Sequence, residues 1–282
     1  MEGDALAKGG RNGAAGGTTP EWTSDPSPLL DVQGVTLQYK TRHHLVTATC
    51  RVSFQVRRGD RFVLLGPSGC GKSTLLKGVG GFLKPVEGAI RLAGREIDAP
   101  GPDRMMVFQE FDQLLPWKTV RHNVMFPLLA SGRLGRADAE IRAMKYIVKV
   151  GLEAFADAYP HALSGGMKQR VAIARAMAME PEMLLMDEPY AALDALTRRK
   201  MQQELLRLWQ DTHFTALFVT HSIEEAIIIG TRILVLSPHP GRVRAELNSV
   251  TQGVGSPEFA ALQARIEDLV FAGHAVEEEP HA

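Results

Sequence analysis

Cysteine and long apolar runs are both scarce in this 282-residue sequence, which has two cysteines, Cys50 and Cys70. Two thiols do not make a disulfide framework, which excludes the disulfide-rich secreted scaffolds and favours a reducing cytosol. No uncharged stretch of about 18 or more apolar residues occurs, and the first residues lack the apolar core of a signal peptide. We therefore expect a chain that neither crosses a membrane nor is exported.

An excess of charge of either sign is also missing, since 32 Lys and Arg residues balance 32 Asp and Glu residues. No basic field indicates nucleic acid as a partner, and no acidic field indicates a cationic substrate. Partners must therefore be inferred from motifs.

The sequence pattern divides the chain into three parts. Residues 1–28 are rich in Gly, Ala, Pro and Ser, which predicts a disordered tail. In 29–245, the segments VTLQY and RVSFQV alternate apolar and polar residues, whereas RFVLLG and EMLLMDEP are nearly continuous apolar runs. This pattern predicts an α/β fold with a central, mainly parallel sheet and an antiparallel β flank. In 246–282, FAALQARIEDLVF predicts one amphipathic helix before a solvated tail.

A phosphate-binding loop is indicated by GPSGCGKST, which follows a buried strand and precedes a helical pattern. In that context the backbone N–H groups from Gly69 to Thr74 would surround phosphates at a helix N-terminus. Lys72 would reach the β and γ phosphates, and Ser73 would bind Mg²⁺. The alternative is an ordinary glycine turn. The residues of the predicted loop are Gly66, Pro67, Ser68, Gly69, Cys70, Gly71, Lys72, Ser73 and Thr74.

Two adjacent carboxylates, Asp187 and Glu188, end the apolar strand MLLM. Neighbouring carboxylates repel each other unless a cation or a proton transfer gives them different duties. We predict that Asp187 holds Mg²⁺ and that Glu188 is the general base for the attacking water. Without the phosphate loop, the pair would be more typical of the start of a solvated loop.

Gln109 and His221 each follow an apolar run, in MVFQ and ALFVTH. Gln109 could ligate Mg²⁺ or position water, and His221 could donate to a γ phosphate. Taken singly, each is more typical of a polar residue at the end of a strand.

The motif LSGGMKQR offers a second place for a phosphate in the same chain. Ser164 can cap the following helix, while Gly165 and Gly166 leave its first amides uncovered, where the helix dipole favours anions. The alternative is an N-capped core helix, for which the apolar residues Met167 and Val171 provide a stripe.

The order of these motifs, glycine loop, VFQ, LSGGMKQR, MLLMDEP, ALD and VTH, resembles the ATP-binding subunit of an ABC transporter over about residues 30–245. The resemblance implies that ATP and Mg²⁺ are the cofactors and that Gln109 and His221 are the Q-loop residue and the switch histidine. It also implies that Tyr39 stacks on adenine, although a core aromatic residue would suit that strand end as well. The remaining residues it assigns are the signature motif, Ser164, Gly165, Gly166 and Gln169, and the D-loop residue Asp194.

The resemblance implies partners too. The signature motif of such ATPases faces the phosphate loop of a second subunit, so that each ATP lies between two chains. A helical subdomain, here about residues 110–175, docks integral membrane permease subunits, which places the chain peripherally on the cytoplasmic face of the membrane. An extracytoplasmic solute-binding protein would be an indirect partner, and nucleic acid would not be one.

Within that subdomain, DAEIRAMKYIVKVG predicts an amphipathic helix whose apolar residues are Ile141, Met144, Ile147 and Val148. The preceding apolar loop LLPW, with Trp117, either packs inward or meets a partner, and we favour the partner.

The segments LLPW and LSPHPGRV are similar to the importer subfamily for nitrate, alkanesulfonates, taurine and related solutes. Three residues depart from the family's usual pattern: Tyr190 and Ala191 replace Phe-Gly, and Ser222 replaces Asp. Two other functions remain possible from the sequence, a soluble ABC-type clamp on a macromolecule and a P-loop kinase. One signature motif without a coiled-coil insertion disfavours the clamp, and the kinase leaves LSGGMKQR and His221 unexplained.

Overall fold

The structure is a computed structural model that describes residues 27–40, 44–108, 113–250 and 253–271. Nearly all of the predicted N-terminal tail, Gln109 and the C-terminal residues 272–282 lie outside these ranges, so the predictions for them are not addressed by the structure.

One of the two sheets in the described ranges is antiparallel, with strand order β2-β1-β4-β5. Its strands are β1 Leu30–Lys40, β2 Leu45–Val56, β4 Glu87–Leu92 and β5 Arg95–Glu96. In the second half of β2 the buried residues Val52, Phe54 and Val56 alternate with exposed ones, as the sequence predicted.

The other sheet has strand order β10-β9-β3-β8-β7-β6, with β10 antiparallel at one edge and the other strands parallel. Phe62 and Leu64 of β3 face one hydrophobic core, whereas Val63 and Leu65 face the other. Both faces are therefore covered, which explains the continuous apolar runs and confirms the predicted α/β fold with a mainly parallel sheet. The strands are β3 Arg61–Leu65, β6 Arg104–Val107, β7 Met183–Asp187, β8 Ala216–Thr220, β9 Arg232–Leu236 and β10 Val243–Asn248.

The helices cover both sides of this sheet. Helix α1 contacts strands of both sheets, and α2, α3 and α4 pack on one another. Helix α7 covers α6 and β9 through its buried apolar side and confirms the predicted C-terminal helix. The bounds are α1 Lys72–Val79, α2 Val120–Ala130, α3 Arg136–Lys149, α4 Gly165–Ala178, α5 Ala195–Thr212, α6 Ile223–Ile229 and α7 Pro257–Phe271.

The amphipathic helix predicted after the LLPW loop is present as α3, but its buried face was partly wrong. Ile141 is 71% exposed and Val148 is 49% exposed, whereas Ala139 and Ala143 are buried. Alanines four residues apart let α3 lie close to α2 and α4, because small side chains shorten the distance between helix axes. Ile147 is buried as predicted, whereas Ile141 and Val148 point outward.

The LLPW loop has one buried end and one exposed end, so that each of the two predicted alternatives, inward packing and a surface for a partner, fits part of it. Leu114 is buried in the core, whereas Trp117 is 70% exposed. The loop thus packs inward at one end and presents an aromatic side chain to solvent at the other.

Within the described ranges, no helix has both the length and the apolar character needed to span a bilayer.

Candidate nucleotide-binding site

The glycine loop joins β3 to α1 and needs glycine at two positions. Gly69 and Gly71 have φ angles of +79° and +94°, in the left-handed region that other residues avoid. At Gly71, a Cβ atom would lie 2.5 Å from the carbonyl oxygen of Ala48. The tight path of this loop therefore depends on glycine both for conformation and for space.

Lys72 begins α1 and is held by the loop itself. Its Nζ donates hydrogen bonds to the carbonyl oxygens of Gly66, at 2.8 Å, and Pro67, at 2.9 Å. Among the described residues no side chain caps the N-terminus of α1, and its first turn contains no acidic residue. Uncapped amides, the positive end of the helix dipole and an ammonium group together form an anion site.

Asp187 and Ser73 contact each other where β7 ends beside the loop. The Ser73 hydroxyl donates to Oδ1 of Asp187 at 2.8 Å. Burial raises the pKa of the Asp187 carboxyl, and the bond from Ser73 opposes that shift. A hydroxyl oxygen and a carboxylate oxygen are hard ligands of the kind that Mg²⁺ takes together with substrate phosphates. The donor set fits the predicted metal, while Gln109, the third predicted ligand, lies outside the described residues.

Glu188 and His221 come together although 33 positions separate them. Oε2 of Glu188 lies 3.0 Å from Nδ1 of His221. Strands β7 and β8 are parallel neighbours, so the residues that follow them meet at one edge of the sheet. Glu188 has a φ angle of +43°, and its N–H donates to the Val219 carbonyl at 3.0 Å. Positive φ is strained in a residue with a side chain and is typical of functional sites. Two residues predicted separately thus form one carboxylate–imidazole pair.

Tyr39 lies near the end of β1 and is 43% exposed. It is therefore not a core aromatic residue. Its stacking on adenine stays a prediction.

The signature motif forms the start of α4. The exposed Ser164 caps the helix by accepting a hydrogen bond from the Met167 N–H at 3.3 Å, and Gly165 is partly exposed beside it. Gly166 is buried, and a Cβ atom there would lie 3.2 Å from Cγ2 of Thr197 on α5. The second glycine therefore also serves helix packing, which the sequence reasoning missed.

Gln169 lies in a different environment from Ser164. Its side chain is 0% exposed on the inner side of α4, and neither of its polar atoms has a hydrogen-bond partner among the described residues. A helix turns by about 100° per residue, so five positions after Ser164 the chain faces a different side. Gln169 is a core amide in the single chain, and its contact with a nucleotide stays a prediction.

Asp194 caps α5 at the surface. Its Oδ1 accepts hydrogen bonds from the N–H groups of Leu196, at 3.1 Å, and Thr197, at 3.0 Å. The bonds from Thr197 and Leu196 hold the pKa of this carboxyl below its usual value. Because Thr197 also contacts Gly166, the N-termini of α4 and α5 lie side by side.

Comparison with known families agrees with this arrangement, because the model of the ABC transporter family matches residues 50–191. The chain belongs to this family. It is 45% identical to the taurine import ATP-binding protein TauB of Rhizobium johnstonii, over 86% of this chain and 97% of that protein. It is 44% identical to the protein of that name from Escherichia coli O157:H7, over 78% of this chain and 90% of that protein.

Solved structures of ABC cassettes share the fold. One is the dimeric post-hydrolysis state of an ATP-binding cassette with bound ADP and phosphate. It is 33% identical, with a TM-score of 0.68, over 79% of this chain and all of that chain. Another is cbiO1 of Clostridium perfringens, part of an ABC transporter complex, with 29% identity and a TM-score of 0.69 over 78% and 88% of the two chains. The chain is accordingly an ABC cassette ATPase.

Two of the departures from the ABC pattern have structural accounts. Ser222 caps α6 by accepting a hydrogen bond from the Glu225 N–H at 3.3 Å, and Asp, the family's more common residue, caps helices equally well. Tyr190 is fully buried, which raises the pKa of its phenol, and its hydroxyl has no hydrogen-bond partner in the described part of the chain. Nothing in the structure explains Ala191.

Proposed function

We propose that this chain is the ATP-hydrolysing subunit of an importer for small solutes of the nitrate, sulfonate and taurine class. The observation that carries the proposal is the Glu188–His221 pair, which lies at the same sheet edge as Ser73 and Asp187, next to the phosphate loop. The solute class is supported by the taurine importers to which the chain is 44–45% identical.

The residues at the sheet edge and in the phosphate loop have separate parts in this function. The loop amides and Lys72 hold the phosphates of ATP, and Tyr39 stacks on its adenine. Glu188 takes a proton from the attacking water, and His221 orients that carboxylate through Nδ1 while its other ring nitrogen remains for the γ phosphate. Ser73, Asp187 and Gln109 would hold Mg²⁺, which neutralises charge on the phosphates.

The proposed partners follow from what a single chain offers. Ser164, Gly165 and Asp194 lie at or near the surface at two adjacent helix N-termini, where a second copy of the chain would place its ATP. We assign residues 29–245 to the ABC domain, with about 110–175 as the helical subdomain and 246–282 as a C-terminal extension. The subdomain would dock permease subunits at the cytoplasmic face of the membrane, and a solute-binding protein would act through them.

A mixed dimer tests the shared site. Lys72→Ala damages the phosphate loop, and Ser164→Arg blocks the signature helix, so each variant alone has two damaged sites. In a dimer of one chain of each kind, one site would combine both damaged parts, and the other would combine intact Lys72 with intact Ser164. We expect such dimers, isolated through two different tags, to trap one ATP per dimer. Trapping no better than in either parent would refute the shared site.

The docking surface is tested by Trp117→Glu. Because the side chain is 70% exposed, the charge should leave folding and ATP binding intact but prevent assembly with the permease. Loss of nucleotide binding in the purified variant would instead show that Trp117 supports the fold. Ile141→Glu, at a site that is equally exposed on α3, indicates how far the surface extends.

A further inference from the structure

A buried carboxylate lies next to the loop that carries His221. Glu225 on α6 is 6% exposed, and its Oε2 accepts a hydrogen bond from the Thr220 hydroxyl. Its Oε1 accepts a hydrogen bond from Nε2 of Gln202 on α5 at 3.4 Å. Glutamate is almost never buried unless its oxygens are paired, and here one donor faces each oxygen.

These contacts involve the residues on both sides of His221 in the sequence. The Thr220 hydroxyl oxygen also accepts a hydrogen bond from the Ser222 N–H at 3.1 Å, so the residues before and after His221 are tied together. Ser222 in turn accepts from the Glu225 N–H. Glu225 thus holds a closed turn around the histidine.

The same carboxylate connects this turn to α5. Gln202 is buried on the helix that Asp194 caps, and the N-terminus of that helix packs against Gly166 of the signature helix. The chain of contacts therefore runs from the signature helix through α5 and Glu225 to His221.

We propose that Glu225 is a positioning residue for ATP hydrolysis, which holds His221 against Glu188 and ties it to α5. The proposal rests on the function proposed above. It follows from geometry, because the Nδ1–Oε2 distance of 3.0 Å between His221 and Glu188 depends on the backbone at 220–222. An error of about 1 Å in such a contact can lower a rate by roughly a hundredfold.

The electrostatic surroundings agree with this role. Burial raises the pKa of Glu225, whereas the hydrogen bonds from Thr220 and Gln202 and the charges of Arg198 and His221 lower it. The pKa of the buried Tyr190 is raised by burial and, to a smaller extent, by the charge of this carboxylate. Burial is the largest of these effects, so the pKa of Glu225 lies above its usual value, and the two donors and the nearby positive charges offset only part of that rise.

The test compares Thr220→Val and Glu225→Gln with wild type in the full-length chain. Valine has the shape of threonine but no hydroxyl, and glutamine places an N–H opposite one of the two donors. Glu224→Gln, on the same helix but exposed, is the matched control.

We expect kcat to fall roughly ten- to a hundredfold in Thr220→Val and in Glu225→Gln, with KM for ATP and Kd for ADP changed by less than about twofold. The kcat of the double variant should be no lower than that of the less active single variant, because both changes break the same link between Glu225 and the turn.

Amide hydrogen exchange provides a readout that needs no activity. The Ser222 amide should exchange faster in Thr220→Val and Glu225→Gln than in wild type or Glu224→Gln, while the central strands stay protected. Unchanged Ser222 exchange, a kcat within about twofold of wild type, or a loss confined to KM would overturn the proposal. A wild-type chain without ATPase activity would refute the proposed function instead, and the exchange comparison would still decide whether Glu225 holds the turn.

Discussion

Helices α1 and α4 both begin at glycine-containing motifs suited to an anion, yet they begin in different ways. Helix α1 follows Gly71, which has no capping side chain, and its first residue Lys72 is buried and held by loop carbonyls. Helix α4 follows Ser164, whose hydroxyl already takes one of the free amides, and it starts at the surface. The first arrangement is suited to a phosphate bound within one chain, whereas in the proposed function the second would face a nucleotide bound by another chain.

The chemistry is distributed in the same unequal way. Ser73, Asp187, Glu188 and His221 all lie on the α1 side, where parallel strands end together. Near α4 the structure shows a cap, a helix contact and the surface carboxylate Asp194. Damage on the α1 side should therefore affect catalysis and folding strongly, and damage at α4 should affect a single chain weakly.

The largest effect is expected for Glu188→Gln. The amide has nearly the same shape as the carboxylate but cannot accept the proton, so kcat should fall by roughly two to four orders of magnitude while ATP still binds. ATP hydrolysis and nucleotide affinity of the purified variant measure the two parts, with Glu224→Gln as control. Near-normal turnover would show that Glu188 is not the general base. The α1 side would then not differ from the α4 side in its catalytic chemistry.

The next largest effect is the loss of stability when glycines of the phosphate loop and of the signature motif are replaced by alanine. Gly71→Ala combines a positive φ with a Cβ atom 2.5 Å from a backbone oxygen, and should lower the free energy of unfolding by about 2–6 kcal/mol. Gly69→Ala has the positive φ but open space, which predicts about 1–3 kcal/mol. Gly166→Ala meets a methyl group at 3.2 Å but gains helix propensity, so the two effects nearly cancel.

Urea denaturation of the three variants tests this order. Equal losses at Gly71 and Gly166 would show that the two motifs do not differ in how strictly they require glycine. A larger loss at Gly69 than at Gly71 would show that the close approach to Ala48 contributes nothing.

The features that the sequence predicted correctly are those that depend only on residues that are neighbours in the sequence. The loop from Gly66 and the histidine after β8 follow apolar strands directly, the carboxylate pair begins at the last residue of β7, and parallel strands bring such ends together. The contact between Glu188 and His221 depends on the order of strands in the sheet, which adjacent residues do not record. The buried face of α3 was predicted only in part, because Ala139 and Ala143 are buried but carry little apolar signal.

The different environments of Gly166 and Gln169 were not predicted, for a related reason. The signature motif was treated as one surface, but a helix presents successive residues to different sides. Ser164 faces solvent, whereas Gly166 faces α5 and Gln169 faces the core. Glu225 was overlooked because its partner Gln202 lies 23 positions away and has no motif of its own.

A smaller effect is expected at the cap of α4. Ser164→Ala removes the acceptor for the Met167 N–H and should lower the free energy of unfolding by about 1 kcal/mol, whereas Ser164→Gly should cost only a few tenths. Both chains should still bind ADP as wild type does, because the α1 site is complete without α4. Weaker ADP binding in isolated, monomeric Ser164→Ala would mean that α4 contributes to the nucleotide site of its own chain.

The smallest effect concerns the charge on the neighbouring cap of α5. Hydrogen bonds from Thr197 and Leu196 hold the pKa of Asp194 below its ordinary value of 3.8, so the charged form stabilises the folded chain. A depressed carboxyl pKa gives stability that is present above the unfolded pKa and is lost as the pH falls through the folded pKa. Asp194→Asn keeps an oxygen acceptor but has no charge. The wild type should therefore be slightly more stable than Asp194→Asn at pH 7, and the difference should shrink as the pH falls below about 4.

The difference between the two chains isolates Asp194 from other titrating groups. The raised pKa of Asp187 acts with the opposite sign, since its contribution is present at low pH and decreases as the pH rises, but it is common to both chains and cancels. Urea midpoints of both chains between pH 7 and pH 3 give the comparison. A difference that stays constant over this range would mean that Asp194 caps α5 through its shape alone. In that case the charge of Asp194 would not contribute to the α4–α5 surface that a second chain would meet. The difference between this surface and the cationic α1 site would then be larger.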